Sequence, residues 1–287
     1  MPCVGGLAQN PPGANAGKLV DMRAKKSLGQ NFLVHGALQR KIVEALGCSK
    51  SDTVLEIGSG RGALTRHLVG RAGRVVLVEL DDRLAEALQD EWGGRPDVDV
   101  LHQDFLELDL SAVTADPSEL IVVGNIPYNI TAPIIFRVLE RPRPRDVVLM
   151  VQREVADRLV AEPGTGEYGA LTVGVRSIAS VEKLLRVPRT AFRPVPGVDS
   201  AVIRITPFDP PPLSSQEEHA LRVLTRATFA WRRKQLQKIL RDHEALHVPR
   251  ERLEDLTLET GWDLTRRPET LSPADFVRLS AFIVGNR

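Results

Sequence analysis

The chain has little cysteine, almost no net charge and no long apolar run, and each shortage removes a class of protein. Its two cysteines, Cys3 and Cys48, fall in no metal-ligand spacing and cannot make a disulfide framework. The six histidines are scattered. His243 and His247 are four apart but lack a third ligand, so they read as solvated helix positions and no metal site is expected. No apolar stretch approaches a membrane span. The N-terminus has neither the apolar core of a secretion signal nor the arginine-rich pattern of a transit peptide, which makes a cytoplasmic location the expectation. With a net charge of +1, any nucleic-acid interaction must rest on where the charge lies. What remains is the composition of a soluble globular protein, 43% hydrophobic and 26% charged, with 287 residues for two domains or one large one.

One stretch organises the rest. Residues 53–62 read Thr-Val-Leu-Glu-Ile-Gly-Ser-Gly-Arg-Gly. Val54, Leu55 and Ile57 make a short buried strand, and the glycines after it let the backbone turn tightly beside a ligand. A second strand ends at Glu79, about twenty residues past the first glycine, where an acid holds the ribose hydroxyls of a nucleotide. The dinucleotide fingerprint needs Gly-x-Gly-x-x-Gly. Here Gly58, Gly60 and Gly62 are evenly spaced, which weakens the dehydrogenase reading and suits S-adenosylmethionine better.

Strands are expected near 53–57, 74–79, 98–102, 119–124 and 145–151, alternating with helices near 62–70, 81–91, 131–140 and 152–160. That alternation implies an α/β fold with a parallel sheet. An amphipathic helix over 36–47 precedes it. A helix near 168–177 and strands near 181–187 and 199–206 follow, and the two strands can pair as an antiparallel hairpin. The proline-dense segment 207–213 breaks the pattern, so the boundary is placed there. Helices are expected beyond it near 215–230, 232–243, 249–261 and 272–284. The expected organisation is therefore a disordered tail over 1–22, an α/β domain over 23–207 and a helical domain over 208–287.

Two further strand ends carry chemistry. Asp104 can accept from the amino group of an adenine ring, although a turn aspartate is as good a reading on its own. Asn125-Ile126-Pro127-Tyr128 is the sharper motif. An exocyclic amine is a poor nucleophile because its lone pair is delocalised into the ring. The Asn125 side-chain oxygen and the Ile126 carbonyl can accept its hydrogens and orient it. Pro127 stiffens the turn, and the Tyr128 ring offers a stacking face for a base.

With these motifs in order, the chain resembles the ribosomal RNA adenine N6-dimethyltransferases, and within them the small-subunit type. The resemblance runs from about residue 23 to 284. It is carried by Lys26-Ser27-Leu28-Gly29-Gln30-Asn31-Phe32-Leu33, the glycine loop, Glu79, Asp104, and Asn125 to Ile130. Gln152 to Ala156, Phe192 with Val198 to Val202, Arg232-Arg233-Lys234 and Arg267 to Leu271 add to it. It implies a Rossmann-like S-adenosylmethionine-dependent methyltransferase domain followed by a small all-helical domain. By the same resemblance Asn31 and Leu33 close over the cofactor, Gly58 with Gly60 meets its methionine part, Glu79 its ribose and Asp104 its adenine. Asn125 faces both the methyl group and the target amine, and Tyr128 and Phe192 sandwich the target base. The implied substrate is a pair of adjacent adenosines in a small-subunit rRNA hairpin, each receiving two methyl groups, by a monomer that touches no membrane. No metal and no covalent enzyme intermediate is expected, and the proton leaves to water.

Three positions depart from the family pattern: Ser59 for the usual proline, Gly197 for a common lysine, and Trp231 for the usual glutamine. RNA docking is expected from Arg232, Arg233 and Lys234 in a locally basic stretch, with Lys25 and Lys26 as a second contact. Three alternatives stand beside this reading. One is the large-subunit methyltransferase of the macrolide-resistance type. Another is a non-catalytic ribosome-assembly or transcription factor on the same fold, which would be expected to lose Glu79 or the Asn-x-Pro-Tyr set. A nicotinamide dehydrogenase is opposed by the glycine spacing.

Overall fold

The computed structural model describes residues 23–284, so the expected tail over 1–22 lies outside the described residues. The strands of the described residues are β1 Phe32–Leu33, β2 Thr53–Ile57, β3 Arg74–Glu79, β4 Val98–His102, β5 Ile121–Asn125, β6 Asp146–Gln152, β7 Ala179–Val187, β8 Phe192–Arg193 and β9 Ser200–Pro207. The described residues form two compact units: residues 23–150 together with 187–199, and residues 151–186 together with 200–284.

In the first unit the strand order is β4-β3-β2-β5-β6, all parallel. The apolar runs explain this arrangement. Val54, Leu55, Val75 to Val78 and Ile121 to Val123 are buried without alternation, as strands covered on both faces must be. Each such Val, Leu or Ile contributes roughly 1.5–3 kcal/mol by leaving water. From β2 the chain winds outward through β3 and β4, then returns to the other side of β2 for β5 and β6. The reversal opens a crevice at the carboxyl ends of β2 and β5, where open α/β sheets bind ligands. Register puts Ile57 opposite Gly124, so the glycine loop and Asn125 leave their strands side by side.

The helix expected over 62–70 is confined to Thr65–Leu68. Positive φ at Gly58, Gly60 and Gly62 keeps the backbone turning through residue 64. The other helices of this unit keep close to expectation. That over Asp82–Trp92 starts at an Asp81 cap, whose side chain accepts from the Arg83 N–H.

In the second unit β7 and β9 are neighbours. The Phe208 N–H donates to the Ile178 carbonyl and the Ser180 hydroxyl to the Thr206 carbonyl, which is an antiparallel pairing. The same unit holds the proline-dense segment and the helices that follow it. Ser215–Ala230 begins at a capping box between Ser214 and Glu217. The helix expected over 232–243 begins only at Leu236. The Leu236 and Gln237 N–H groups donate to the carbonyls of Arg266 and Leu264, so distant chain satisfies donors that an extra helical turn would have used. Tyr168 centres the packing: its hydroxyl donates to the Leu271 carbonyl at 2.7 Å, and its ring meets Phe229 edge-on, which stacks on Phe276.

Candidate active site

A cavity of about 280 Å³ lies in the first unit, at the ends of β2, β3 and β5 and under the arm formed by residues 27–32. Gly58 and Gly60 of the glycine loop line it. The Gly58 N–H donates to the Val78 carbonyl at 2.8 Å, binding the loop to the neighbouring strand. Gly60 has φ +56, and a Cβ there would lie 3.3 Å from the Phe32 ring, so glycine suits this close approach.

Glu79 sits at the tip of β3 with a buried side chain. One carboxylate oxygen accepts from the Gly60 N–H at 2.8 Å, the other from the N–H groups of Leu80 and Asp81 at 2.9 Å each. Burial pushes its pKa up, and these amide donors from Asp81, Gly60 and Leu80 oppose the rise. Asp104 lines the cavity after β4, and its Oδ1 accepts from the Leu106 N–H at 2.9 Å as the cap of a short 3₁₀ turn.

Asn125, Ile126, Pro127 and Tyr128 line the same cavity. The Asn125 Nδ2 donates to the Asn31 carbonyl at 2.8 Å, which ties the β5 tip to the arm. Asn31 also lines the cavity. Gly29, two residues earlier, has φ +62, and a Cβ there would come within 2.8 Å of the Asn129 side-chain oxygen. The arm therefore seats its backbone directly on the Asn125 to Asn129 segment.

Other expected residues sit elsewhere. Leu33 and Phe192 face each other in the β1–β8 pair, are buried, and are absent from the cavity lining. Phe192 is 0% exposed, so in this conformation its ring offers no face to a base. Lys25 is engaged: its Nζ lies 3.1 Å from Asp81 Oδ2. The Lys26 side chain lies outside what the structure describes. In the second unit Arg232 donates from Nε and Nη2 to one oxygen of Glu269, at 2.9 and 2.7 Å, while Arg233 and Lys234 are exposed.

Sequence reasoning missed Asp81 and Glu56. The Asp81 side chain is fully buried and charged. Burial acts to raise its pKa, but bonds from Arg83, Lys25 and Gln30 outweigh that and hold it at about 2. Its signal was available, an aspartate directly before a helical pattern. Glu56 is buried behind the glycine loop, where burial pushes its carboxyl up to about 8 although the Thr65 hydroxyl donates to it at 2.6 Å. Alternating burial gives no hint of it, because β2 is covered on both faces.

A carboxylate at one strand tip, a second beyond the next strand, and an amide with a base-sized ring lining the same cavity suit a nucleoside-bearing cofactor beside an amine. The family model for ribosomal RNA adenine dimethylase matches residues 21–282. The chain belongs to that family. Among curated proteins it is 45% identical over 262 residues to the ribosomal RNA small subunit methyltransferase A of Geobacillus thermodenitrificans, covering 89% of each chain. The protein of that name from Levilactobacillus brevis is 42% identical over 286 residues, 98% of this chain and 96% of the relative. Among solved structures, the dimethyladenosine transferase of Plasmodium falciparum matches with TM-score 0.72 and 27% identity, over 86% of this chain and 95% of that one. The 23S rRNA methyltransferase ErmE matches with TM-score 0.66 and 30% identity, over 88% and 99%.

Proposed function

We propose that this protein transfers methyl groups from S-adenosylmethionine to N6 of two adjacent adenosines in a small-subunit rRNA hairpin, making each a dimethyladenosine during assembly of the small ribosomal subunit. The observation that carries the reading is one cavity lined together by Gly58 and Gly60 of the glycine loop, Glu79, Asp104 and Asn125 to Tyr128. Relatives at 45% and 42% identity that carry the small-subunit name support that substrate over large-subunit rRNA. The likeness to ErmE keeps the large-subunit enzyme as the second reading.

The residues fit the cofactor. Glu79 oxygens suit ribose hydroxyls, Asp104 an adenine amino group, and the Gly58–Gly60 backbone a close-lying methionine part. When bound, S-adenosylmethionine supplies an electrophilic methyl on a sulfonium. The chain's own residues do the rest. Asn125 Oδ1 and the Ile126 carbonyl accept from the target amine and hold it in a near-attack position. Tyr128 stacks on the base. Phe192 provides the second face only when the incoming base uncovers it. A monomethylated amine keeps one N–H for an acceptor, which allows the second transfer.

We assign residues 23–207 to methyl transfer and 208–287 to RNA docking. Arg233 and Lys234 contact phosphate directly, and Arg232 contributes from its pair with Glu269. Lys25 and Lys26 form the second contact, Lys25 from its pair with Asp81. The protein acts as a cytoplasmic monomer; no helix of the described residues is long and apolar enough to cross a membrane.

The test is incubation of the full chain with unmethylated small and large subunits and isotope-labelled S-adenosylmethionine, followed by mass mapping of the rRNA. Four methyl groups on two neighbouring adenosines of the small-subunit RNA are expected. Label confined to the large-subunit RNA would replace this reading with the second one, and no label in either would remove the catalytic reading.

A further inference from the structure

Asn125 reaches the cavity with an amide, and an amide has a donor end and an acceptor end. Only the acceptor end can take a hydrogen bond from a target amine. Which end faces inward is decided by the atom at the other end. That atom is the Asn31 carbonyl oxygen, 2.8 Å away, and a carbonyl only accepts. The NH₂ of Asn125 is therefore turned to the arm, and its oxygen is left for the substrate. A flipped amide would present N–H groups to an amine.

The Asn31 carbonyl is a backbone atom, so its position is set by the residues around it. Gln30, directly before it, donates from Nε2 to Asp81 Oδ2 at 3.2 Å, and its Oε1 accepts from the Lys25 N–H at 2.7 Å. Lys25 Nζ meets the same Asp81 oxygen at 3.1 Å. Phe32, directly after, lies against Gly60 with the Arg61 guanidinium 4.2 Å from its ring centroid. Asp81 itself is fixed by the helix it caps, through the Arg83 N–H at 3.1 Å. A buried carboxylate needs its cationic and amide partners, so Asp81 draws the arm in.

We propose that Asp81 is a positioning residue for the acceptor: by holding the arm through Gln30 and Lys25, it fixes the Asn31 carbonyl that orients the Asn125 amide. The inference rests on the reading of Asn125 as the residue that orients the amine. Asp81 lies two residues past Glu79, so a single strand tip both binds the ribose and latches the strap that aligns the acceptor.

The experiment measures single-turnover methyl transfer into unmethylated small subunits by the full chain, at saturating S-adenosylmethionine and saturating subunits, with cofactor and subunit affinities measured separately. Gln30→Ala removes the latch at a partly exposed residue. Asp81→Asn keeps an acceptor at the helix cap but removes the charge. Each should lower the saturated rate roughly 10- to 100-fold, the cost of a small misplacement at the reacting atoms. Saturating subunits keep any change in their affinity, as Lys25 leaves Asp81, out of this rate, and circular dichroism at the assay temperature should show Gln30→Ala folded as the wild type. In an Asn125→Ala background, Gln30→Ala should add nothing, because no amide is left to orient. Unchanged saturated rates, with losses confined to cofactor affinity, would show that the arm only covers the cavity and overturn the proposal. Effects that multiply in the double variant would overturn it as well. A normal rate for Asn125→Ala alone would overturn the site reading itself, and the inference with it.

Discussion

Two segments of this chain look alike in sequence and differ in what their charges do. Residues 23–33 carry Arg23, Lys25 and Lys26, and residues 222–241 carry Arg222, Arg226, Arg232, Arg233, Lys234, Lys238 and Arg241. In the first, Lys25 serves the buried Asp81 carboxylate, and the arm's backbone seats on the cavity wall. In the second, Arg232 and Arg241 pair with Glu269 and Asp242, while Arg222, Arg226, Arg233, Lys234 and Lys238 are exposed. The difference lies in the partner. A carboxylate out of water must be neutralised or hydrogen-bonded, so it turns a nearby cation into scaffold. A cation facing solvent stays available to phosphate. A run of basic residues therefore marks an RNA contact only after its internal partners have been counted.

The sharpest way to break this comparison is at the residue the arm touches. Asn125→Ala should cut methyl transfer by about 100-fold or more, the scale of one positioned hydrogen bond in the transition state, while the cofactor still binds. Near-normal dimethylation of subunits by this variant would mean that the arm's contact with Asn125 has no bearing on the chemistry. Next in size, Glu79→Ala should weaken S-adenosylmethionine binding by roughly 1.5–3 kcal/mol, the range for hydrogen bonds to a charged group. Calorimetry on the folded variant reads this directly, and an unchanged affinity would remove the ribose assignment.

The latch itself should respond to acid. Asp81 titrates at about 2 with the arm docked, against 3.8 for an unperturbed aspartate. A depressed folded value means that its contribution, shared between Arg83 on its own helix and Lys25 and Gln30 of the arm, is present above pH 3.8 and disappears as pH falls through 2. The protection of the residue 23–33 amides, taken relative to the intrinsic exchange rate at each pH, should fall across that window in the wild type and stay flat in Asp81→Asn; equal profiles would remove Asp81 as the latch.

On the other segment, Arg233→Ala with Lys234→Ala should reduce the salt slope of subunit binding by roughly 1.4–1.8, as for two phosphate contacts, without changing cofactor affinity. Parallel slopes would place the RNA elsewhere. The smallest effect belongs to Arg232→Ala, a partly exposed pair with Glu269 whose loss should lower the unfolding free energy by about 1 kcal/mol at most. Its part in RNA docking is read separately: a salt slope of subunit binding lower than wild type supports a phosphate contact by Arg232, and an unchanged slope leaves it only the Glu269 pair.

Much of the fold was legible because it follows from local pattern. β2, β3 and β4 lie where the apolar runs put them, at 53–57, 74–79 and 98–102. The helix expected over 232–243 came out shorter because its start is decided at a distance. Leu236 and Gln237 give their N–H groups to residues 266 and 264, and no window around residue 234 contains that information. The site was legible to the same extent. Gly58, Gly60, Glu79, Asp104 and Asn125 each follow a readable strand, and the structure gathers them around one cavity. Phe192 and Leu33 were readable as motif residues, but their burial in the two-residue β1–β8 pair was not.

Sequence alone thus determined the alternation of strands and helices, the glycine loop and the order of chemical groups at successive strand ends, because periodicity and turn chemistry act over a few residues. Tertiary structure decided which groups meet. The reversal of strand order brings Gly58 beside Asn125, and the arm reaches Asp81 across 51 residues from Gln30 and Asn125 across 94 from Asn31. Such contacts depend on the three-dimensional path of the backbone, and a carbonyl that orients an amide belongs to no side chain, so the residue letters carry no trace of it.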